Sequence, residues 1–257
     1  MNLANEQPRN RLLASLSLSD IEQLLPSAEP VALDVRRILE EPRSQITHVY
    51  FVESGLVSVV GTARPDQRIE VGMVGYEGMT GLGVILGDDR SANETLVQSA
   101  GTALRVPTES MREAMNASSA FSTVLLRYVH VFMVQSSQTA LANGRGKLDE
   151  RLARWLLMWH DRLRTDSLTI THEFLALLLG VRRQGVTVAL HTLEGRGLIR
   201  STRGLIRILD RDGLRLAANG FYGIPEDEYD RSIGPSPRAE DRPRVPAPQY
   251  GQVDTDA

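Results

Sequence analysis

Cationic and hydrogen-bonding side chains stand at the start of one amphipathic segment, GVRRQGVTVALHTLEGRGLI, which runs from Gly180 to Ile199. Arginine can donate a bidentate pair of hydrogen bonds to guanine, and glutamine can pair with adenine. The N-terminus of a helix also favours phosphate. The side chains that would perform this chemistry are Arg182, Arg183, Gln184, Thr187 and His191. Their types predict a surface that binds nucleic acid, and the alternative is a solvated helix.

Two short helices joined by a tight turn would position these side chains. Thr171 is a good N-cap for the first helix, and Gly180 suits the position after a helix that needs a positive φ. We include Thr171 in the predicted DNA-binding set, and we expect the second helix to start near Arg182. Apolar residues that recur at mostly three- and four-residue intervals are predicted to form its buried face; they are Val186, Ala189, Leu190 and Leu193. The two helices and the turn between them predict a helix-turn-helix, a motif whose second helix enters the major groove of DNA.

A β-hairpin is predicted directly after these helices. Two β-rich runs, Leu198–Arg200 and Leu205–Leu209, flank the turn at residues 201–204. Arg203 at the tip, with Arg200 beside it, suits a wing that touches phosphates. Helix-hairpin units also occur in proteins that never contact DNA, so the pattern alone leaves that alternative open.

Charge is distributed unevenly along the 257 residues, whose net charge is only −3. Residues 165–221 carry eight arginines against five acids, a net charge of +3, whereas the tail from Gly223 has a net charge of −4. The average charge therefore hides a basic module beside an acidic tail, and the basic module is the part expected to meet DNA.

Several classes of function are excluded by composition and spacing. The chain has no cysteine, so we expect no disulfide, no cysteine-ligated iron–sulfur cluster and no thiolate zinc site. The five histidines lack metal-ligand spacing, and no phosphate-loop, dinucleotide or catalytic motif is present. Without a leader or a membrane-length apolar run, we expect a cytoplasmic protein that is not an enzyme and has no membrane partner.

Four segments differ in texture along the chain. Residues 30–107 hold short β-rich runs typical of a sandwich or barrel. Residues 108–164 are helical, with one stretch apolar on more than one side, which indicates burial against another subunit or within one core. Gly144 and Gly146 interrupt this pattern and predict a hinge. The proline-rich tail from Gly223 has few large aliphatic residues and is expected to be disordered.

In this order of elements the chain resembles the Crp/Fnr family of bacterial transcription regulators. The resemblance covers residues 10–221 and rests on HVYFVESGLVSVV, DDRSA, the long helix and the winged end at LEGRGLI. It implies an α+β fold with an N-terminal β-roll (a double-stranded β-helix or jelly-roll). The implied parts are a cyclic-nucleotide-binding-like sensor (10–117), a dimerisation helix and hinge (118–146), a winged helix-turn-helix (147–221) and a disordered acidic tail (222–257).

The resemblance also implies a homodimer on a two-fold symmetric site in double-stranded DNA, with RNA polymerase as a candidate partner. Arg182, Arg183, Gln184 and Thr187 match the family's recognition positions. Gly185 and Val188 depart from the best-known member, which has a hydroxyl residue and an arginine there. We therefore expect a different target site, and the sequence does not distinguish an activator from a repressor.

A small effector in the roll is the less specific part of the resemblance. Arg90 and Ser91 match the Arg-Ser pair that holds a cyclic-nucleotide phosphate in relatives. Thr80 stands where a glutamate is expected, and the nearest acid is Glu77 in a shifted register. On the dimer helix, the candidate base contacts are Ser136 and Ser137. A cyclic nucleotide, another small ligand and no ligand at all remain open.

The sequence thus predicts a DNA-binding transcription regulator in which a signal in the roll biases the long helix and the hinge. The recognition helices would then move into or out of a spacing of about 34 Å, near one DNA turn. The alternative is a ligand-binding regulatory subunit that acts on a protein partner without DNA binding.

Overall fold

A computed structural model describes residues 8–235 of the chain. Its N-terminal part is an antiparallel sheet flanked by short helices. The elements are α1 (Arg11–Ala14), α2 (Leu18–Leu24), β1 (Glu29–Leu33), β2 (Ile38–Glu40), β3 (His48–Arg64), β4 (Gln67–Val74), α3 (Leu82–Ile85), β5 (Glu94–Pro107) and α4 (Thr108–Ala117). The expected β-roll and the α+β class are confirmed.

The sheet is built around two long strands, and its order is β1-β5-β3-β4, with β2 also paired to β5. Pairing of β3 with β5 runs from His48 opposite Pro107 to Val60 opposite Glu94, with three register shifts on the way. Such shifts bend a strand and increase its twist. Two strands of this length can therefore curl around a core instead of forming a flat sheet.

A long helix, α5 (Ser119–Arg145), lies across the roll, in the segment where the long helix was predicted. It fits closely because two glycines face its aromatic rings. A Cβ on Gly72 would lie 2.3 Å from Phe132 Cζ, and one on Gly78 would lie 2.0 Å from the Tyr128 hydroxyl. The side-chain amide of Gln135 binds the backbone of Met73 in β4. Its oxygen accepts the Met73 N–H (2.6 Å), and its nitrogen donates to the Met73 carbonyl (3.2 Å).

No single helix among residues 8–235 is long and apolar enough to cross a bilayer. The helices α4 and α5 reach that threshold only when taken as a pair, and the pair is bent by 118°.

The C-terminal part is a small helical domain with a three-stranded sheet of order β6-β8-β7. Its elements are α6 (Leu148–Leu163), β6 (Ser167–Thr169), α7 (His172–Leu179), α8 (Arg183–Gly195), β7 (Ile199–Thr202), β8 (Leu205–Ile208) and α9 (Arg211–Ala217). The strand β6 was not predicted. It pairs with β8 from Ser167 opposite Arg207 to Thr169 opposite Leu205.

The two parts of the chain are in contact through α6 and α7 on one side and β4 on the other. Trp155 Nε1 of α6 donates to Glu70 Oε1 at 2.8 Å. The turn after α7 touches the same strand, because a Cβ on Gly180 would lie 2.7 Å from Ile69 Cδ1. The core of the C-terminal domain therefore continues into the sheet of the roll.

The expected disorder from residue 222 is wrong for the described part of the tail. Residues Ile224–Ser232 form a tenth helix, α10, that packs on α5. The ring of Tyr229 is buried, its hydroxyl donates to the carbonyl of Glu77 (2.7 Å), and the guanidinium of Arg11 lies 4.5 Å from the ring centre. These long-range contacts order a segment poor in aliphatic residues. Residues 236–257, also expected to be disordered, lie outside the described residues.

Candidate functional site

The helix-turn-helix is formed by α7, a tight turn and α8. The Thr171 side chain accepts the N–H of Phe174 (3.2 Å) and caps α7, as expected. Gly180 has φ +64°, the left-handed conformation that ends the helix without a Cβ penalty. α8 begins at Arg183, with Arg182 as its N-cap. The four residues predicted to form the buried face of α8 are all buried; they are Val186, Ala189, Leu190 and Leu193.

The opposite face of α8 carries the predicted recognition side chains. Arg182, Arg183 and Gln184 are all exposed in its first turn. Arg183 lies 3.0 Å from Glu173, and both side chains are largely exposed. An exposed pair of this kind contributes little to stability. The arginine is thus free to exchange its carboxylate partner for a phosphate or a base.

Two further predicted residues lie along the same helix. His191 is exposed, whereas Thr187 is half-buried and its hydroxyl is 3.1 Å from His172 Nδ1. The Thr187 hydroxyl also donates to the Arg183 carbonyl at 3.3 Å. The structure therefore brings Arg182, Arg183 and Gln184 together at the tip, with His191 further along and Thr187 committed within the domain.

The two departures from the family's best-known member have distinct surroundings. A Cβ on Gly185 would lie 2.9 Å from Leu148 Cδ2, so the glycine permits a close approach of α8 to Leu148 of α6. Val188 is 66% exposed on the outward face. An apolar side chain there can contact a thymine methyl group but cannot bind phosphate.

The wing is the hairpin of β7 and β8, with Ile199 opposite Ile208 and Thr202 opposite Leu205. Arg203 and Arg200 are exposed, as expected for phosphate contacts. Arg200 lies 4.0 Å from Glu194 of α8, which places the wing and α8 on one surface.

A cavity of about 420 Å³ lies in the roll and brings three predicted effector residues together. They are Thr80, Arg90 and Ser91, and Phe132 of α5 closes one wall. Arg90 donates from its guanidinium to the Arg43 carbonyl (3.0 Å). Sequence reasoning missed Glu40, whose carboxylate lines the cavity and accepts the N–H of Gly81 at 2.7 Å.

The other predicted effector residues do not line this cavity. Glu77 turns toward the C-terminal domain, where its Oε1 is 2.7 Å from Arg162 Nε. Ser136 and Ser137 lie on α5, and Ser137 donates to the Val134 carbonyl at 2.9 Å. Glu77 is close in sequence to Thr80, which lines the cavity, but its buried cationic partner comes from 85 residues further along the chain.

Buried charges join the roll to the C-terminal domain. Burial alone would lower the pKa of Arg162, but Glu77, Glu226 and Asp161 raise it above its usual range. Burial raises the pKa of Glu70 to about 7, against the opposing hydrogen bonds from Ser58 and Trp155. This interface therefore holds one carboxyl that titrates near neutral pH.

Among residues 8–235, no group of three or more metal-ligating side chains could hold a metal ion. The exposed tip of α8, the wing and the roll together define a winged helix-turn-helix protein with a β-roll domain.

Comparison with known proteins identifies one domain of the chain and structures that share its fold. Residues 150–217 match the model of the Crp-like helix-turn-helix domain. The chain has a Crp-like helix-turn-helix domain, and its fold is that of the Crp/Fnr-type transcription regulators. No curated protein matches the chain.

Solved structures share the fold at low sequence identity. A Crp/Fnr-family protein from Eubacterium rectale is 20% identical with a TM-score of 0.65, covering 81% of this chain and 98% of its own. A CRP-family transcriptional regulator from Thermus thermophilus is 21% identical with a TM-score of 0.61, covering 74% and 97%. The c-di-GMP responsive global regulator CLP from Xanthomonas campestris is 16% identical with a TM-score of 0.60, covering 75% and 99%.

Proposed function

We propose that the protein is a homodimeric transcription regulator that binds a two-fold symmetric DNA site. The observation that carries this proposal is the tip of α8. Arg182, Arg183 and Gln184 are exposed there, while the apolar face of the same helix is fully buried. Three long polar side chains at the start of a rigid helix fit the major groove. This role is not enzymatic, and it places the protein beside the chromosome in the cytoplasm.

The exposed face of α5 supports the dimer. Its outward positions alternate by three and four residues, which is the spacing of a coiled-coil seam. They are Thr123, Leu126, His130, Met133, Ser137, Ala140 and Gly144. Leu126 is 49% exposed and Met133 63% exposed, so the seam presents large apolar groups toward solvent. The small residues at its C-terminal end allow two helices to approach closely.

Two-state control would connect the roll to DNA binding. The cavity in the roll is the proposed effector site, and the CLP relative, described as c-di-GMP responsive, supports an effector of small-molecule size. A ligand can bias the recognition helices only if it binds the two states with different affinity. The helix α5 continues through Gly144, which was expected to interrupt it, so the proposed hinge is the break at Gly146, between α5 and α6.

DNA binding is tested by selecting bound fragments from genomic DNA and measuring their affinity at several salt concentrations. We expect steep weakening with salt, because each neutralised phosphate releases counterions. The double variant Arg182→Ala, Arg183→Ala should lose at least about tenfold in affinity, since one good bidentate base contact is worth about 1–3 kcal/mol. Arg112→Ala, at a partly exposed arginine of α4, is the control and should leave DNA affinity unchanged.

Unchanged affinity in the double variant would refute the recognition-helix proposal. It would favour the alternative, in which the basic module docks a protein partner.

The dimer is tested by light scattering at micromolar concentration. We expect a dimer for the native chain and a shift toward monomer for Met133→Glu, which places a charge in the seam. Leu216→Glu is the matched control, because Leu216 is 76% exposed on α9, outside the seam. A native monomer at micromolar concentration would refute the symmetric-site model.

A further inference from the structure

The cavity in the roll has the size and lining of a small-molecule site. Its volume of about 420 Å³ falls within the range of ligand pockets, about 300–1,000 Å³. Apolar side chains form most of its wall, among them Val59, Val74, Met79 and Phe132. An occupant of matching shape therefore has an apolar body, and its polar group must be matched by the few polar residues of the wall.

The carboxylate of Glu40 already accepts hydrogen bonds from the donors in the cavity wall that an anionic ligand would need. Its Oε1 accepts the N–H of Gly81 at 2.7 Å, and its Oε2 lies 3.0 Å from the Ser91 hydroxyl. These two donors thus face a carboxylate of the chain itself. An incoming phosphate would have to displace that carboxylate or stand beside a like charge, which is unfavourable in a partly enclosed site.

One oxygen of Glu40 retains acceptor capacity. The Ser91 hydroxyl also lies 2.7 Å from the carbonyl of Asn93, and its single proton is shared between the two acceptors. Among the residues that the structure describes, Glu40 forms no ion pair. Its Oε2 can therefore take a hydrogen bond from a ligand.

The other charged residues of the cavity wall leave it with a net negative charge. Asp88 adds a second acid, and its Oδ1 accepts the backbone N–H of Arg90. The guanidinium of Arg90 is bound to the Arg43 carbonyl. Two carboxylates against one arginine make the lining net negative, and such a lining attracts a cation.

We propose that this cavity binds an amphipathic organic cation, an amine with an aromatic or aliphatic body, and excludes cyclic nucleotides. The ammonium group lies on Glu40, where it donates to Oε2, and the apolar body packs against Val74 and Phe132. The proposal specifies the ligand class of the effector site in the proposed function. The binding step itself needs no DNA, so it can fail or succeed independently of DNA recognition.

The test pairs ligands of similar shape and opposite charge, with the full chain and without DNA. The probes are 2-phenylethylamine and hexylamine, their acid counterparts phenylacetate and hexanoate, and cyclic AMP and cyclic GMP. Binding is followed by titration calorimetry and by the shift in melting temperature. We expect both amines to bind and to raise the melting temperature, and the acids and cyclic nucleotides to do neither.

A variant then assigns the binding to Glu40. In Glu40→Gln the amide oxygen can still accept from Gly81, but the charge is gone, so we expect at least a tenfold loss of amine affinity. Glu41→Gln, at the exposed neighbouring acid, should bind amines as the native chain does. Amines that fail to bind, amine binding that is equal in Glu40→Gln, or a cyclic nucleotide that binds the native chain would each overturn the proposal. The comparison of amine with acid uses the native chain, so the proposal can be tested even if the variant does not fold.

Discussion

The carboxyl of Glu70 makes the contact between the roll and the C-terminal domain sensitive to pH. It is buried in β4 and accepts from Ser58 Oγ (2.6 Å) and Trp155 Nε1 (2.8 Å). Burial raises its pKa to about 7, and the two hydrogen bonds and the charges of Arg162 and Arg154 oppose this. The folded chain therefore holds the proton more tightly than the unfolded chain does.

The size of the effect follows from this difference in proton affinity. A tenfold change in proton affinity corresponds to about 1.4 kcal/mol. A pKa of about 7 in the folded chain, against the ordinary 4.5, thus corresponds to a contribution of about 3 kcal/mol to the free energy of unfolding. Below about pH 4.5 both states are protonated and this contribution is fully present. It is lost as pH rises toward about 7, where the folded state also ionises.

The substitution Glu70→Gln removes the ionisation and keeps the hydrogen bonds. The amide oxygen can accept from Trp155, and the amide N–H can donate to Ser58, whose hydroxyl also reaches Gln98 at 2.8 Å. We expect equal stability of variant and native chain near pH 4.5. Near pH 8 we expect the variant to be more stable by up to about 3 kcal/mol, because the native chain then buries a charge.

The assay is denaturant unfolding followed by tryptophan fluorescence from pH 4.5 to 8.5. Both tryptophans of the chain, Trp155 and Trp159, lie on α6, so the signal reports on this interface. Other groups titrate in both proteins, so the informative quantity is the difference between variant and native chain. Glu41→Gln, which changes an exposed acid outside this interface, is the control variant. A difference that stays constant with pH for Glu70→Gln would refute the reasoning.

Three further predictions concern stability, each measured by denaturant unfolding of variant and native chain. Thr171→Ala removes the cap of α7 and should cost about 1 kcal/mol; no loss would mean that the hydrogen bond to Phe174 N–H contributes nothing. Gly72→Ala should cost about 1–3 kcal/mol because its methyl group would overlap Phe132, whereas Gly195→Ala, with open space around it, should not destabilise. Tyr229→Ala should cost about 3 kcal/mol, because it leaves a cavity where the ring is buried. Tyr229→Phe should cost about 1 kcal/mol, because only the hydrogen bond to the Glu77 carbonyl is lost. Equal losses of stability in the two variants would contradict the packing of α10.

The helix-turn-helix could be predicted because its determinants are local. Thr171 and Gly180 act within a few residues of their own positions, as does Asp210, whose side chain caps α9 at Gly213 N–H. The periodic apolar positions of α8 likewise report its buried face without knowledge of the rest of the chain. Short elements lack such a signal, and the three residues of β6 were missed for that reason.

The place of Glu40 in the cavity of the roll and the helix in the tail could not be predicted, because their determinants are distant in sequence. Glu40 meets Gly81 across 41 residues, and Tyr229 meets Glu77 across 152. Neither pair has a pattern that a reading of one segment would find. The start of α10 did carry a local signal, since Pro225 and Glu226 suit the first turn of a helix. The acidic, proline-rich composition of the surrounding tail outweighed it.

The strand β4 contacts both the cavity and the turn before α8. Val74 at its end lines the cavity, and Gly72 lies under Phe132, which closes the cavity wall. At its other end, Ile69 touches Gly180 in the turn before α8. A ligand that displaced Phe132 would therefore press on the same strand that supports the turn. Because packed elements shift between discrete arrangements and do not deform continuously, β4 offers the proposed two-state control a second contact route to the turn before α8, beside the proposed hinge at Gly146.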